Sequence, residues 1–190
     1  MKRIAVFASG YGSNFQKIHE NIKYGLMDAT LTLFVSDQKD ARAVVYAKDH
    51  NITCFVFDAN AYHRKSDYEE EILHLLKRHH VDLIVLAGYM RKIGPTLLKA
   101  YPKRILNIHP SYLPAFKGKD AILQAFDSGV EQTGVTVHYV DENLDSGEII
   151  LQEKVDIKGQ SLENLTAEIH RVEHRLYTLA IQKVLEEMIS

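Results

Sequence analysis

The stretch IAVFASGYGSNFQKI, residues 4–18, begins as a short apolar run, turns on two glycines and continues with apolar residues at helical spacing. It reads as a strand, a Gly-x-Gly turn and a helix. Glycines permit tight turning and close backbone approach, and Ser13 or Asn14 is suited to cap the helix. Exposed amides at a helix start, together with the positive end of the helix dipole, suit an anion. The dinucleotide-binding fingerprint wants a third Gly or Ala where this chain has Phe15. A single phosphate monoester, which needs less room than a pyrophosphate, is therefore the better match. A plain turn with a good cap is the alternative, and this stretch alone leaves both readings open.

Working outward, the same alternation recurs. Strands are expected at Arg3–Ala8, Leu31–Val35, Thr53–Phe57, Asp82–Ala87 and Arg104–Ile108, with helices near Asn14–Lys23, Ala41–Asp49 and Tyr62–His79. A βαβαβ rhythm argues for a mostly parallel sheet with helices on both faces. Beyond Pro114 the pattern changes. Gly118–Gly129 reads as one helix. GVTVHYVD and EIILQEKVDI read as two longer strands that pair antiparallel across a short turn around Leu144–Gly147, and Leu162–Met188 as a closing helix. With no repeat, low-complexity tract or Pro/Gly/Ser linker, residues 1–190 are expected to form one α/β domain.

Bulk composition narrows the function classes. Apolar residues make up 46% and charged residues 25%, as in soluble globular proteins, so a sizeable core is possible. The net charge of −2 carries no basic bias of the kind nucleic-acid binding favours. No apolar run approaches the ~20 residues of a membrane span. MKRIAVFAS runs straight into GYGSN without a cleavage site, which fits a first strand better than a signal peptide. Cys54 is alone and alternation places it inside a strand, so no internal disulfide forms and a cytoplasmic location is the simplest expectation.

RILNIHPSYLP, residues 104–114, breaks the rule for a strand core. Asn107 and His109 alternate with Ile108, so an amide and an imidazole share one face at the strand's carboxyl end. Ligands of open α/β sheets bind beyond that end. An amide donor beside an imidazolium suits a developing oxyanion, although two strand-end groups satisfying loop carbonyls would look the same. A partner for the histidine is available in GVTVHYVDENLDSGEII, where Asp145 sits in a Leu-Asp-Ser-Gly turn. Spacing does not establish that the two meet, and aspartate also serves as a plain turn former.

HRVEH, residues 170–174, matches the H-x-x-E-H pattern of inverted zinc peptidases, with His170 and His174 on one helix face. A catalytic zinc needs a third protein ligand, and the 16 residues that follow read as the end of the same helix. Helix-surface polarity or a ligand contact fits the pair better, and no metal is expected.

ASGYGSNFQ, VLAGYMRKI, ILNIHPSYLPAF and TGVTVHYVDENLDSGEII, in this order and spacing, resemble the folate-dependent formyltransferases. The single-domain length and the Gly-Ser-Asn loop are similar to the phosphoribosylglycinamide formyltransferase (glycinamide ribonucleotide transformylase) family within them. The resemblance runs from residue 1 to the final helix. It implies the Rossmann-like formyltransferase fold, with antiparallel C-terminal strands, and transfer of a formyl group from 10-formyltetrahydrofolate to the amine of glycinamide ribonucleotide in purine biosynthesis. It implies Asn107, His109 and Asp145 as the catalytic trio and Gly12, Ser13 and Asn14 as the substrate-phosphate loop. Glu173 would contact the glycinamide substrate, with His170 beside it. The folate site would draw on Arg64, on Met90, Arg91, Lys92 and Ile93, on Asn107, and on Asp141, Glu142, Asn143, Leu144 and Asp145. The folate would be a consumed co-substrate, with no tightly bound cofactor. Partners would be small molecules, with neither nucleic acid nor membrane, and the protein a monomer or homodimer.

Three departures touch secondary contacts: Tyr11 in the glycine loop, Asp120 where some members carry His, and His170 where some carry Gln. Formyltetrahydrofolate deformylase would share the trio but use water, usually with an N-terminal regulatory domain. Methionyl-tRNA formyltransferase would usually add a C-terminal domain and a basic surface. A non-catalytic phosphate-binding module on the same fold would leave the trio idle.

Overall fold

The computed structural model describes residues 1–189 and arranges them around one seven-stranded sheet. In chain order the elements are β1 (Lys2–Phe7), α1 (Ser13–Lys23), β2 (Ala29–Ser36), α2 (Arg42–Asp49), β3 (Cys54–Val56), α3 (Lys65–Arg78), β4 (Leu83–Leu86), α4 (Pro95–Ala100), β5 (Ile105–His109), α5 (Ala121–Ser128), β6 (Gln132–Tyr139), β7 (Ile149–Asp156) and α6 (Leu162–Glu187). The strand order is β3-β2-β1-β4-β5-β6-β7. The first five strands run parallel, β6 pairs antiparallel with β5, and β7 antiparallel with β6.

The chain builds outward from β1 to β3, then returns to the other side of β1 to lay down β4. That reversal makes β1 and β4 the switch point, whose carboxyl ends form the natural ligand crevice. The glycine turn follows β1 and the 88–94 segment follows β4, so both border it.

Alternation along β1 divides the core. Ile4 and Val6 face α1, α2, α5 and α6, while Ala5 and Phe7 face α3 and α4. α6 buries a continuous stripe from Leu165 through Ile169, Val172, Leu176 and Ala180 to Val184, at the spacing of a helix with one core-facing side. Phe15, in the place of a third glycine, is fully buried and stacks on Phe34 with ring centroids 4.5 Å apart. An aromatic ring thus fills the space that the dinucleotide fold keeps for close helix–strand packing.

Several boundaries differ from the sequence expectation. α3 starts at Lys65 rather than Tyr62, because Ala59–Ala61 form a separate 3₁₀ turn capped by Asp58. α5 starts at Ala121, since Gly118 and Asp120 take left-handed backbone angles that a helix cannot include. α4 was not anticipated; it is one short helix with proline in its first turn. The connection between β6 and β7 is the long 140–148 loop rather than a short turn. Cys54 is half-buried in β3 and its thiol donates to the Ile52 carbonyl at 3.1 Å. Among the described residues, no helix is long and apolar enough to cross a membrane.

Candidate active site

Asn107 and His109 occupy the last turns of the pleat in β5. Opposite them in the antiparallel ladder stand His138 and Thr136 of β6, so four polar side chains share one face. Thr136 is committed to structure: its Oγ donates to the Ser111 carbonyl at 2.7 Å and accepts from the Leu113 amide at 3.1 Å. Those bonds turn the chain after Pro110 over the strand end.

The 140–148 loop begins low on β5, where the Val140 amide donates to the Ile105 carbonyl at 2.8 Å, and then climbs back toward His109. Gly147 has no room for a side chain because the Tyr139 carbonyl occupies the space, and Asp145 takes a left-handed φ of 48°. The Leu-Asp-Ser-Gly element is therefore a tight turn whose geometry delivers one carboxylate. Asp145 Oδ2 lies 3.6 Å from His109 Nδ1 and accepts the Gly118 amide at 2.9 Å, and Oδ1 lies 3.8 Å from His138 Nε2. The three groups are buried together. His109 and Asp145, left as a possibility by spacing, do meet.

The ring nitrogens can be assigned from their neighbours. His109 Nε2 lies 2.8 Å from the Phe116 carbonyl, which can only accept, so Nε2 carries a hydrogen. Its Nδ1 faces the Asp145 carboxylate at 3.6 Å. His138 Nδ1 likewise donates to the Tyr139 carbonyl at 2.8 Å. Burial pushes the His138 imidazole below its ordinary range, with the nearby Asp145 charge opposing, so its Nε2 is a bare acceptor near neutral pH. Asn107 Nδ2 sits 3.5 Å from that nitrogen. His138 thus orients the Asn107 amide through one N–H. His138 was absent from the sequence reading, although the Thr136/His138 alternation mirrored Asn107/His109 and was the available signal.

The glycine turn behaves differently from the sequence expectation in one respect. Gly12, at φ 80°, is itself the N-cap of α1, and no side chain caps the helix. Asn14 instead sends its Nδ2 to Glu173 Oε2 of α6 at 3.1 Å, and its Oδ1 is buried without a protein partner. The leading amides of an eleven-residue helix are therefore not covered by a side-chain cap, as an anion site requires. Burial raises the Glu173 carboxyl to about 7, with the Asn14 bond opposing. His170, one turn away, is exposed; His174 is half-buried with Nε2 unpartnered. Among the described residues, no group of three or more His, Cys, Asp or Glu side chains is placed to hold a metal ion.

The expected folate residues fall into two groups. Arg64 is the exposed N-cap of α3 and pairs with Asp67 at 3.0 Å. The start of α3 is tied to the 90–93 segment, because Lys65 Nζ donates to the Lys92 carbonyl at 2.5 Å and the Gly94 amide to Glu69 at 2.9 Å. Met90 and Lys92 are exposed, Ile93 is buried, and Arg91 is drawn into an ion pair with Asp37 at 2.8 Å. Asp141, Glu142 and Asn143 line a cavity of about 470 Å³ against Leu98 and Lys99 of α4, and Leu144 is exposed at the loop tip.

A family model described as formyl transferase matches residues 2–181. The chain belongs to the formyl transferase family. The phosphoribosylglycinamide formyltransferase of Bacillus subtilis (strain 168) is 47% identical over 186 residues, 97% of this chain and 95% of the relative. That of Escherichia coli (strain K12) is 36% identical over 179 residues, 94% and 84% of the two chains. The solved structure of glycinamide ribonucleotide transformylase 1 from Geobacillus kaustophilus superposes with a TM-score of 0.94 at 52% identity, covering 97% of this chain and 99% of that one.

Proposed function

We propose that this formyl transferase moves the formyl group of 10-formyltetrahydrofolate onto the amine of glycinamide ribonucleotide, as a phosphoribosylglycinamide formyltransferase of purine biosynthesis. The observation that carries the reading is the placement of Asn107 and His109 on one face at a strand end, with Asp145 and His138 behind them. Relatives named for this activity align with nearly the whole chain. The 1–190 chain acts as one domain, and the folate is a consumed co-substrate.

In this reading the ribonucleotide phosphate rests on the amides of Gly12, Ser13 and Asn14, and Glu173 and His170 contact the same substrate. The folate lies along Arg64, Met90–Ile93 and Asp141–Asp145. The amine attacks the formyl carbon, and the carbonyl π electrons move to oxygen. Asn107 donates its second N–H to that oxyanion, and the imidazolium of His109 stabilises it. The Phe116 carbonyl must yield the Nε2 hydrogen before His109 bonds the oxyanion directly. As the intermediate collapses, the C–N10 bond breaks and the amine proton passes to N10, with His109 assisting. Asp145 holds the imidazole in its charged form. Fixing both substrates supplies much of the acceleration, roughly 7–11 kcal/mol where orientation is good.

The test is to incubate the protein with 10-formyltetrahydrofolate in the presence and absence of glycinamide ribonucleotide. Formation of formylglycinamide ribonucleotide and tetrahydrofolate, dependent on the ribonucleotide, is expected. Release of formate without the ribonucleotide would instead make the protein a deformylase.

A further inference from the structure

Asp37 follows β2 at the sheet's carboxyl edge and belongs to none of the groups assigned above. Its side chain is only 2% exposed, an unusual place for a carboxylate without partners. It has three. Oδ1 accepts from Ser9 Oγ at 2.6 Å, and Oδ2 accepts from Arg91 Nε at 2.8 Å and from Gln38 Nε2 at 3.3 Å. Ser9 closes the circuit, since its Oγ accepts the Met90 amide at 2.9 Å while its own amide donates to the Gly88 carbonyl at 3.0 Å. Arg91 is further tied to the Tyr68 hydroxyl of α3.

The circuit joins the two segments that flank the switch point. Ser9 opens the 9–14 turn, and Gly88, Met90 and Arg91 belong to the segment after β4. A buried carboxylate bonded to both fixes their separation, and charge-assisted bonds of this length are among the stronger ones. Because Ser9 links directly to the Met90 amide, a shift in one segment is transmitted to the other by two hydrogen bonds.

We propose that Asp37 is a positioning residue that presets both substrate loops at once, through Ser9 toward the ribonucleotide and through Arg91 toward the folate. It touches neither substrate. The inference rests on the formyl-transfer reading, which assigns one substrate to each segment.

The test is Asp37→Asn, which keeps the volume and removes the charge, with Ser9→Ala as a second variant that leaves the Arg91–Asp37 pair in place. Steady-state transfer is measured with each substrate varied in turn, and binding of each substrate alone is followed by calorimetry. For Asp37→Asn, the KM and Kd of both substrates should rise together, by about tenfold for a lost charge-assisted bond, with kcat falling less than either KM rises. Ser9→Ala should reproduce the paired rise. Arg64→Ala, which touches only the folate side, should weaken the folate alone. A rise confined to one substrate, or a lower melting temperature with unchanged KM and Kd values, overturns the proposal. Wild-type protein that transfers no formyl group overturns both this inference and the function it rests on.

Discussion

Asn107 and His138 show how one residue's chemistry depends on the strand beside it. A free asparagine amide rotates and shares its hydrogens with water, but here one N–H is claimed by His138 Nε2, which fixes the amide's plane. Replacing Asn107 with alanine should therefore lower turnover by about 10²–10³, the usual loss of one oxyanion donor, with little change in substrate Kd or melting temperature. Turnover near wild type would make Asn107 a strand-end amide and nothing more. Asp145→Asn tests the partner of His109. It keeps an acceptor for the Gly118 amide but removes the negative charge beside Nδ1, on which the proposed stabilisation of the imidazolium depends. A turnover loss of about a hundredfold or more is expected, with modest changes in affinity. If affinity and melting temperature fall while turnover per bound substrate holds, Asp145 is only a turn residue.

At the scale of elements, the glycine turn carries two demands. Gly12 needs a left-handed φ, and a Cβ there would lie 2.7 Å from the Ala43 Cβ of α2. Gly12→Val should weaken ribonucleotide binding more than folate binding, and α2 must also shift, so some stability is lost. Isothermal titration with each substrate, beside a thermal melt, separates these effects; equal weakening of both substrates in a folded protein would misplace the phosphate. The strand–turn–helix reading of residues 4–18 was legible because alternation, glycine and helical spacing are local signals. Asn107 and His109 were legible for the same reason, since one strand's pleat puts them together. Asp145 meeting His109, and His138 backing Asn107, depend on the register of β6 on β5, which local pattern does not encode. The capping role expected of Ser13 or Asn14 failed because Gly12 takes the N-cap position and puts both residues inside the helix, where Asn14 bonds Glu173 of α6, 159 residues away. α4 was missed because a six-residue helix shows too little periodicity.

Across the whole molecule, the Asn14–Glu173 bond joins the first helix to the last, and its pH dependence has a definite sign. Burial raises the Glu173 carboxyl from its ordinary 4.5 to about 7, so between those values the folded state holds a proton that the unfolded chain has released. Stability then falls as pH rises through this window, by about 1.4 kcal/mol per pH unit and on the order of 3 kcal/mol in all. The half-buried or buried His19, His138 and His174 act oppositely. Burial is the largest cause lowering each of them, so the unfolded chain binds their protons more tightly and stability climbs with pH up to about 6.5. The wild-type profile is therefore a sum of opposed slopes, and the Glu173 contribution shows only as a difference. Glu173→Gln keeps the shape and stays neutral. Chemical denaturation of both proteins from pH 4.5 to 8 should show the variant losing less stability, or gaining more, as pH rises. Ligands bring the second half of the test: ribonucleotide donors that meet the ionised carboxylate should make binding near pH 6 release a proton. Calorimetry in buffers of different ionisation enthalpy would detect that proton in the wild type and not in Glu173→Gln. Parallel stability profiles for the two proteins, with equal proton release, would mean Glu173 is ionised throughout and that water reaches it.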